Sequence, residues 1–130
     1  MNYYNDNEEY ACAWLLNLMS EGHVPFGLID KRSILDLEPS DLDGFTQVHL
    51  FSGIGGWSEA LRLAGWPEDQ EIWSASCPCQ PFSVAGKQKG ESDERHLWPV
   101  VRDLVAECRP KCIVGEQVAS KAGRAWLSCV

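Results

Sequence analysis

From Thr46 onward the chain alternates short β-rich runs with helical stretches, and this alternation limits the available folds more than any other feature. The run "TQVHLFSG" ends in a glycine cluster, "GIGG", which passes directly into "WSEALRLAGW". There Trp57, Ala60, Leu61 and Ala64 form an apolar stripe at helical spacing, and Gly65 supplies a stop. "EIWSAS" predicts a second strand, and "RHLWPVVRDLVAEC" a second helix entered after a Gly90–Asp93 turn. "KCIVGE" predicts a third strand, and "SKAGRAWLSCV" the start of a third helix. Strand and helix alternating three times argues for βαβ units, a parallel sheet and right-handed crossovers. The expected fold class is therefore α/β, with about three parallel strands and flanking helices. A length of 130 residues fits one domain.

The first 44 residues read differently. Asp6 to Leu18 has the spacing of an amphipathic helix, with Tyr10, Trp14 and Leu18 at i, i+4 and i+8 and Leu15 beside them. "EGHVPFG" ends it through Gly22 and Pro25. "SILDLEPSDLDGF" suggests two short helical turns, the second capped by Ser40 or Asp41, with Gly44 closing the segment. His23 beside the turn reads as a surface or packing residue. The chain divides on this reading into an acidic helical extension, residues 1–44, and an α/β core, residues 45–130.

Charge follows the same division. Nine of the 19 acidic residues fall in 1–44, against only Lys31 and Arg32. A net charge of −8 argues against strong nonspecific binding to a phosphate backbone, which needs clustered Lys and Arg. Two readings of the acidic segment stay open: a solvated face, or a negative surface aimed at a basic partner such as a nucleic-acid-binding protein. The polar, acidic N-terminus is neither a signal peptide nor an anchor, and no apolar run reaches a membrane span. Six cysteines without a secretory signal imply a reducing compartment, and the expected location is cytoplasmic.

Two loops carry candidate chemistry. Gly53, Gly55 and Gly56 lie between a strand and a helix, where missing Cβ atoms admit a tight turn or a close ligand. Their G-x-G-G spacing does not meet the dinucleotide fingerprint, so cofactor loop and structural turn are both open. "SASCPCQPFS" braces Cys79 between Pro78 and Pro81. Cys77, Cys79, Cys108 and Cys112 lack converging zinc-ligand spacing, so no metal is expected. The zinc-deaminase pattern also fails, because no H-x-E occurs. Cys79 follows a strand at the carboxyl edge of the expected sheet, where open α/β proteins place their chemistry, and Glu116 ends the third strand on the same edge. A pre-organised thiol beside a carboxyl is a plausible active site, with Cys77 as a bystander. Cys12, Cys108, Cys112 and Cys129 read as buried structural thiols.

"LFSGIGGWSEALRLAG", "PCQPFSVAGKQKG", "DERHLW" and "GEQV" together resemble, in order, the first, fourth and sixth motifs of the cytosine-5 DNA methyltransferases. The resemblance covers roughly Val48 to Val118 and is nearest to phage-borne members, which implies a phage or prophage origin in a bacterial host. It implies a Rossmann-like methyltransferase core that uses S-adenosylmethionine, with Phe51, Gly53, Gly55 and Gly56 in the cofactor loop. Cys79 would add to carbon 6 of a flipped-out cytosine, and Glu116 would hold the base's Watson–Crick edge. Gln80 and Ser83 would contact DNA.

The sequence also departs from the family. Gln117 stands where Glu-Asn-Val is usual. Between Gly56 and Pro78 there is room for one helix and one strand, whereas the family has two further strands there, carrying acidic residues for the cofactor's ribose and adenine. No Gln-x-Arg element, target-recognition region or last cofactor motif follows. These departures lead to the expectation of a reduced three-stranded core that is inactive alone. The alternative is a non-catalytic phage anti-defence protein, which binds a host nuclease or another nucleic-acid-binding defence protein through the acidic surface.

Overall fold

A computed structural model describes residues 1–78 and 97–117. The elements run β1 (Asn2–Asn5), α1 (Glu9–Ser20), β2 (Gly27–Asp30), two 3₁₀ turns (Ile34–Asp36 and Pro39–Leu42), β3 (Gln47–Leu50), α2 (Gly56–Leu63), β4 (Ile72–Ala75), α3 (Trp98–Cys108) and β5 (Ile113–Gly115). The five strands form one sheet in the order β2-β1-β3-β4-β5, every pair parallel. The three strands expected downstream of Thr46 are present. The third expected helix and the Gly90–Asp93 turn lie outside the described residues.

The main departure is at the N-terminus. Residues 1–44 are not an all-helical extension, because they supply two strands of this same sheet. β1 lies between β2 and β3, with Asn2 opposite Gln47 and Asn5 opposite Leu50. All four of its residues are buried. The sheet thus has two strands more than expected, added on the flank of β3 that faces away from β4.

The two faces of the sheet are covered by different chemistry. On one, Tyr3, Val48, Leu50, Trp73 and Ala75 pack with Trp98, Val101 and Leu104 of α3 and with Ile34, Leu37 and Leu42 of the 3₁₀ turns. Burying each of the larger side chains contributes about 1.5–3 kcal/mol. On the other, Tyr4 packs with Leu15, Met19 and Val24. The expected α1 stripe therefore holds at Leu15 and Leu18, which pack on this face, and fails at its two aromatics. Tyr10 and Trp14 are 69% and 46% exposed, while Cys12, Leu15 and Met19 face the sheet. α2 likewise buries Ser58 and Leu61, and leaves Ala60 and Ala64 exposed. Ser33 caps the first 3₁₀ turn, and a reciprocal Glu38–Asp41 box caps the second, so Ser40 is not the cap.

The second face is also polar inside, and the donors and acceptors can be followed one by one. The Pro25 carbonyl can only accept, so Tyr4 Oη donates to it at 2.7 Å. Ser58 Oγ, 2.7 Å from Tyr4 Oη, must then donate to the tyrosine, and Asn2 Nδ2 donates to Ser58 Oγ at 3.2 Å. His49 stacks on Tyr4, its Nε2 lies 3.3 Å from Gln47 Oε1, and its Nδ1 lies 2.7 Å from Ser74 Oγ. A neutral ring that donates from Nε2 and accepts at Nδ1 satisfies both contacts. Burial pushes the His49 pKa down to about 4, which keeps it neutral.

Deleting residues 1–44 removes β1 and β2 and bares one edge of β3 and half of both cores. The shortened chain should lose cooperative urea unfolding and aggregate, not persist as a three-stranded core. Circular dichroism and size-exclusion chromatography check this. His49 gives a pH signature. The unfolded chain takes up its proton near 6.5, whereas the folded chain resists until about 4. Stability should therefore fall by about 3 kcal/mol as pH drops through that window. Urea titrations at intervals from pH 7 to 4 should show this slope in wild type and its loss in His49→Gln.

Candidate cofactor and nucleophile site

Because all five strands run the same way, their carboxyl ends share one edge. Along it stand Asp30 at the end of β2, Asp6 after β1, the loop 51–56 after β3, Ser76 to Pro78 after β4, and Glu116 after β5. Extending the β4–β5 register by one residue sets Ser76 level with Glu116. The structure therefore brings Phe51, Gly53, Gly55, Gly56 and Glu116 to a single edge. Cys79, Gln80 and Ser83 lie outside the described residues, directly downstream of Pro78.

The loop after β3 turns through left-handed backbone at Phe51, Gly53 and Gly55, with φ of 53°, 53° and 87°. Its glycines do different work. A Cβ on Gly55 would lie 2.9 Å from Leu15 and Val24, so this glycine lets the loop pack against α1. A Cβ on Gly53 or Gly56 would meet nothing within 4 Å, so these two face open space. The loop is tied to β1 twice. Ser52 N donates to Asn5 O at 2.9 Å, and Gly53 N donates to Asp6 Oδ2 at 2.8 Å. The Gly53 N–H is thus already used, and Asp6 is a carboxylate in direct contact with the loop. Asp6 Oδ1 accepts from Glu8 N, and each oxygen keeps a lone pair for a further donor.

Asp30 is committed to other partners. Its carboxylate takes both Arg32 Nε and Nη2, the latter at 2.6 Å, and also accepts from Tyr3 Oη at 2.7 Å. The Arg32 hydrogen bonds, against the opposing effect of burial, hold its pKa near about 2. Arg32 also reaches Asp41 at 3.1 Å, so part of the acidic N-terminal charge is internally paired. Asp6 and Asp30 escaped the sequence reading because only the upstream strands, which it missed, carry them to this edge.

At the end of β4, Ser76 N donates to Leu50 O at 3.3 Å and Trp57 Nε1 donates to Ser76 Oγ at 2.9 Å. Cys77 is buried in the apolar core, and burial pushes its thiol up to about 12. It is therefore a protonated packing residue, as expected of a bystander. A cleft of about 640 Å³ lies at the opposite edge, lined by Asn2, Phe26, Gln47, Ser58, Arg62 and Trp66 among others. Its lining has no cysteine and no part of the glycine loop, and its Ser58 hydroxyl is engaged by Tyr4 and Asn2, so the carboxyl edge is the better candidate for chemistry.

The residues present fit an adenosyl cofactor on three observations. Gly53 and Gly56 leave room for a ligand against the backbone. Asp6 offers a carboxylate suited to a ribose diol. Ser52 Oγ is buried with no hydrogen-bond partner among the described residues.

This doubly covered parallel sheet, with a glycine loop at its carboxyl edge, is a reduced Rossmann-like methyltransferase core. The family model described as C-5 cytosine-specific DNA methylase matches residues 65–121. Type II methyltransferase M.HhaI of Haemophilus parahaemolyticus is 29% identical over 125 residues, covering 68% of this chain and 38% of that protein. Type II methyltransferase M.HpaII of Haemophilus parainfluenzae is 27% identical over 140 residues, 78% of this chain and 38% of that protein. Type II methyltransferase M.NgoMIV of Neisseria gonorrhoeae is 46% identical over 48 residues, 37% of this chain and 15% of that protein. The chain is thus similar to C-5 cytosine-specific DNA methylases over part of its length, and it spans less than two fifths of the length of these relatives. No solved structure matches it.

The match to M.HhaI is gapped. Its 125 positions occupy 68% of a 130-residue chain, or about 88 residues, so about 37 positions have no counterpart here.

The contrast between the two cysteines of the CPC loop can be measured. With iodoacetamide at pH 8, Cys77 should stay unlabelled in the native protein and react only in denaturant, whereas Cys79 should label natively. Peptide mass spectrometry separates the two.

Proposed function

We propose that this chain forms the cofactor- and nucleophile-bearing part of a C-5 cytosine DNA methylase. The observation that carries the reading is the alignment of glycine loop, Asp6, Ser76 and Glu116 along one sheet edge, with Cys79 three residues past Ser76. We further propose that β1 and β2 take the place of the two strands that the family resemblance sets after the glycine loop. The chain order is then permuted, and the cofactor side of the sheet is complete. On this reading Asp6 would hold the ribose hydroxyls, while Asp30, occupied by Arg32 and Tyr3, would brace the neighbouring strand.

S-adenosylmethionine, when bound, supplies the methyl group. The protein's part is to prepare the base. The Cys79 thiolate would add to carbon 6 of an extruded cytosine, forming a sulfur–carbon bond and placing electron density on carbon 5. Glu116 would hydrogen-bond the ring nitrogen and the exocyclic amine, stabilising the charge that develops. After methylation, loss of the carbon-5 proton would expel the thiolate and restore the ring. The alternative binding role through residues 36–43 rests on charge alone.

The test is covalent trapping on duplex DNA substituted with 5-fluorocytosine, in parallel with calorimetry of S-adenosylmethionine. The expected result is cofactor binding and a denaturant-stable adduct that Cys79→Ser abolishes. Binding without an adduct would defeat the methyl-transfer role for this chain, and absence of both would defeat the whole reading.

A further inference from the structure

The polar network beneath α1 and α2 runs out at the amino ends of β1 and β3, in the cleft at the edge away from the glycine loop. Asn2 and Gln47 are register partners there, on adjacent strands about 5 Å apart. Each is more than nine-tenths buried, and both line the cleft. Hydrogen bonding fixes which way each carboxamide points. Asn2 Nδ2 has Tyr4 Oη, Ser58 Oγ and Gln47 Oε1 within 3.3 Å, so its nitrogen faces the network and its oxygen faces away. Gln47 Oε1 takes Asn2 Nδ2 and His49 Nε2, both at 3.3 Å, which fills its two lone pairs and turns Nε2 away. Asn2 Oδ1 and Gln47 Nε2 have no hydrogen-bond partner among the described residues, and neither is sealed from solvent. The floor of the cleft therefore offers an acceptor beside a donor.

The walls are flat and apolar. Phe26 is 76% exposed, and the Trp66 ring is held by its indole N–H, which donates to Gln70 O at 3.0 Å. Phe26 is tied to the floor on both sides. It follows Pro25, whose carbonyl takes the Tyr4 hydroxyl, and it precedes Gly27, where a Cβ would run into Asn2 O. Among the described residues Arg62 is the cleft's only Lys or Arg, its guanidinium is engaged by Glu59, and Glu68 also lines the site. Such a lining has little to offset a phosphate. A volume of about 640 Å³ falls within the roughly 300–1,000 Å³ of small-molecule sites.

We propose that this cleft binds the base of a neutral nucleoside. The base amine donates to Asn2 Oδ1, the adjoining ring nitrogen accepts from Gln47 Nε2, and Phe26 and Trp66 cover the apolar surface of the ring. The site lies at the other end of the strands from Glu116, and it stands whether or not the carboxyl edge transfers methyl groups.

The experiment titrates adenosine into ¹⁵N-labelled protein with S-adenosylmethionine present throughout. The side-chain amide signals of Asn2 and Gln47 and the indole signal of Trp66 should shift together. N6,N6-dimethyladenosine, which has lost the amine donor, should bind at least about fivefold more weakly, and so should adenosine 5′-monophosphate. Phe26→Ala, at an exposed position, should fold normally and lose about fivefold or more, the low end of what one stacked ring contributes. Gln47→Glu keeps the oxygen that serves Asn2 and His49 but loses the donor, and should lose at least as much. No shift of these three signals up to about 5 mM adenosine, a concentration that reveals even millimolar binding, would overturn the site. Shifts confined to the glycine loop, or full affinity in Phe26→Ala, would do the same while leaving the proposed function standing. Tighter binding of a short oligodeoxyadenylate than of adenosine would overturn the neutral nucleoside as occupant in favour of a nucleic-acid strand.

Discussion

Parallel pairing of β1 with β3 is the constraint on which the other features depend. A parallel ladder fixes direction as well as neighbour, so once Asn2 lies beside Gln47 the end of β1 must arrive beside the start of the glycine loop. That placement brings Asp6 within 2.8 Å of Gly53 N and lets Ser52 N extend the ladder to Asn5 O. It also lays α1 across the sheet face, where Leu15 and Val24 leave no space for a side chain on Gly55. A shift of one residue in this pairing would turn Tyr3 and Tyr4 to the wrong faces and separate Asp6 from the loop.

The face under α1 and α2 combines apolar packing with a polar network. Asn2, Gln47, His49, Ser58 and Ser74 are all buried, an arrangement that costs stability unless each group is paired. Here the donors run in order from Asn2 through Ser58 and Tyr4 to the Pro25 carbonyl, and a single neutral tautomer serves His49. The network joins β1, β3, β4 and α2 with directional bonds. It thereby fixes the register of the sheet, which an apolar face of the same shape would leave less defined.

Much of the fold downstream of Thr46 was legible because strand and helix each leave a periodic signature there. β3, β4 and β5 fall inside the expected runs, and α2 and α3 inside the expected helical stretches. β1 and β2 were hidden for physical reasons. Each is four residues long, and "NYYN" is bounded by asparagines whose amides look solvated until a buried network receives them. In α1, Tyr10 and Trp14 at perfect helical spacing outweighed the smaller Cys12, Leu15 and Met19, which are the residues that pack. Of the candidate site, the loop glycines and Glu116 were readable from local pattern. Asp6 and the Trp57–Ser76 bond were not, because each depends on a contact between segments far apart in sequence.

Chain order has a consequence for biosynthesis. β1, α1 and β2 are contiguous in the first 30 residues, so the strand–helix–strand unit bearing Asp6 leaves the ribosome before the glycine loop, and well before Cys79. The two edge-forming strands can dock locally, but β1 keeps one side unpaired until β3 emerges. The nascent chain therefore carries an open, aromatic strand edge for some 40 residues of synthesis, a window in which a chaperone or a second nascent copy could pair with it. A chain with those strands after the glycine loop would have no such interval at its start.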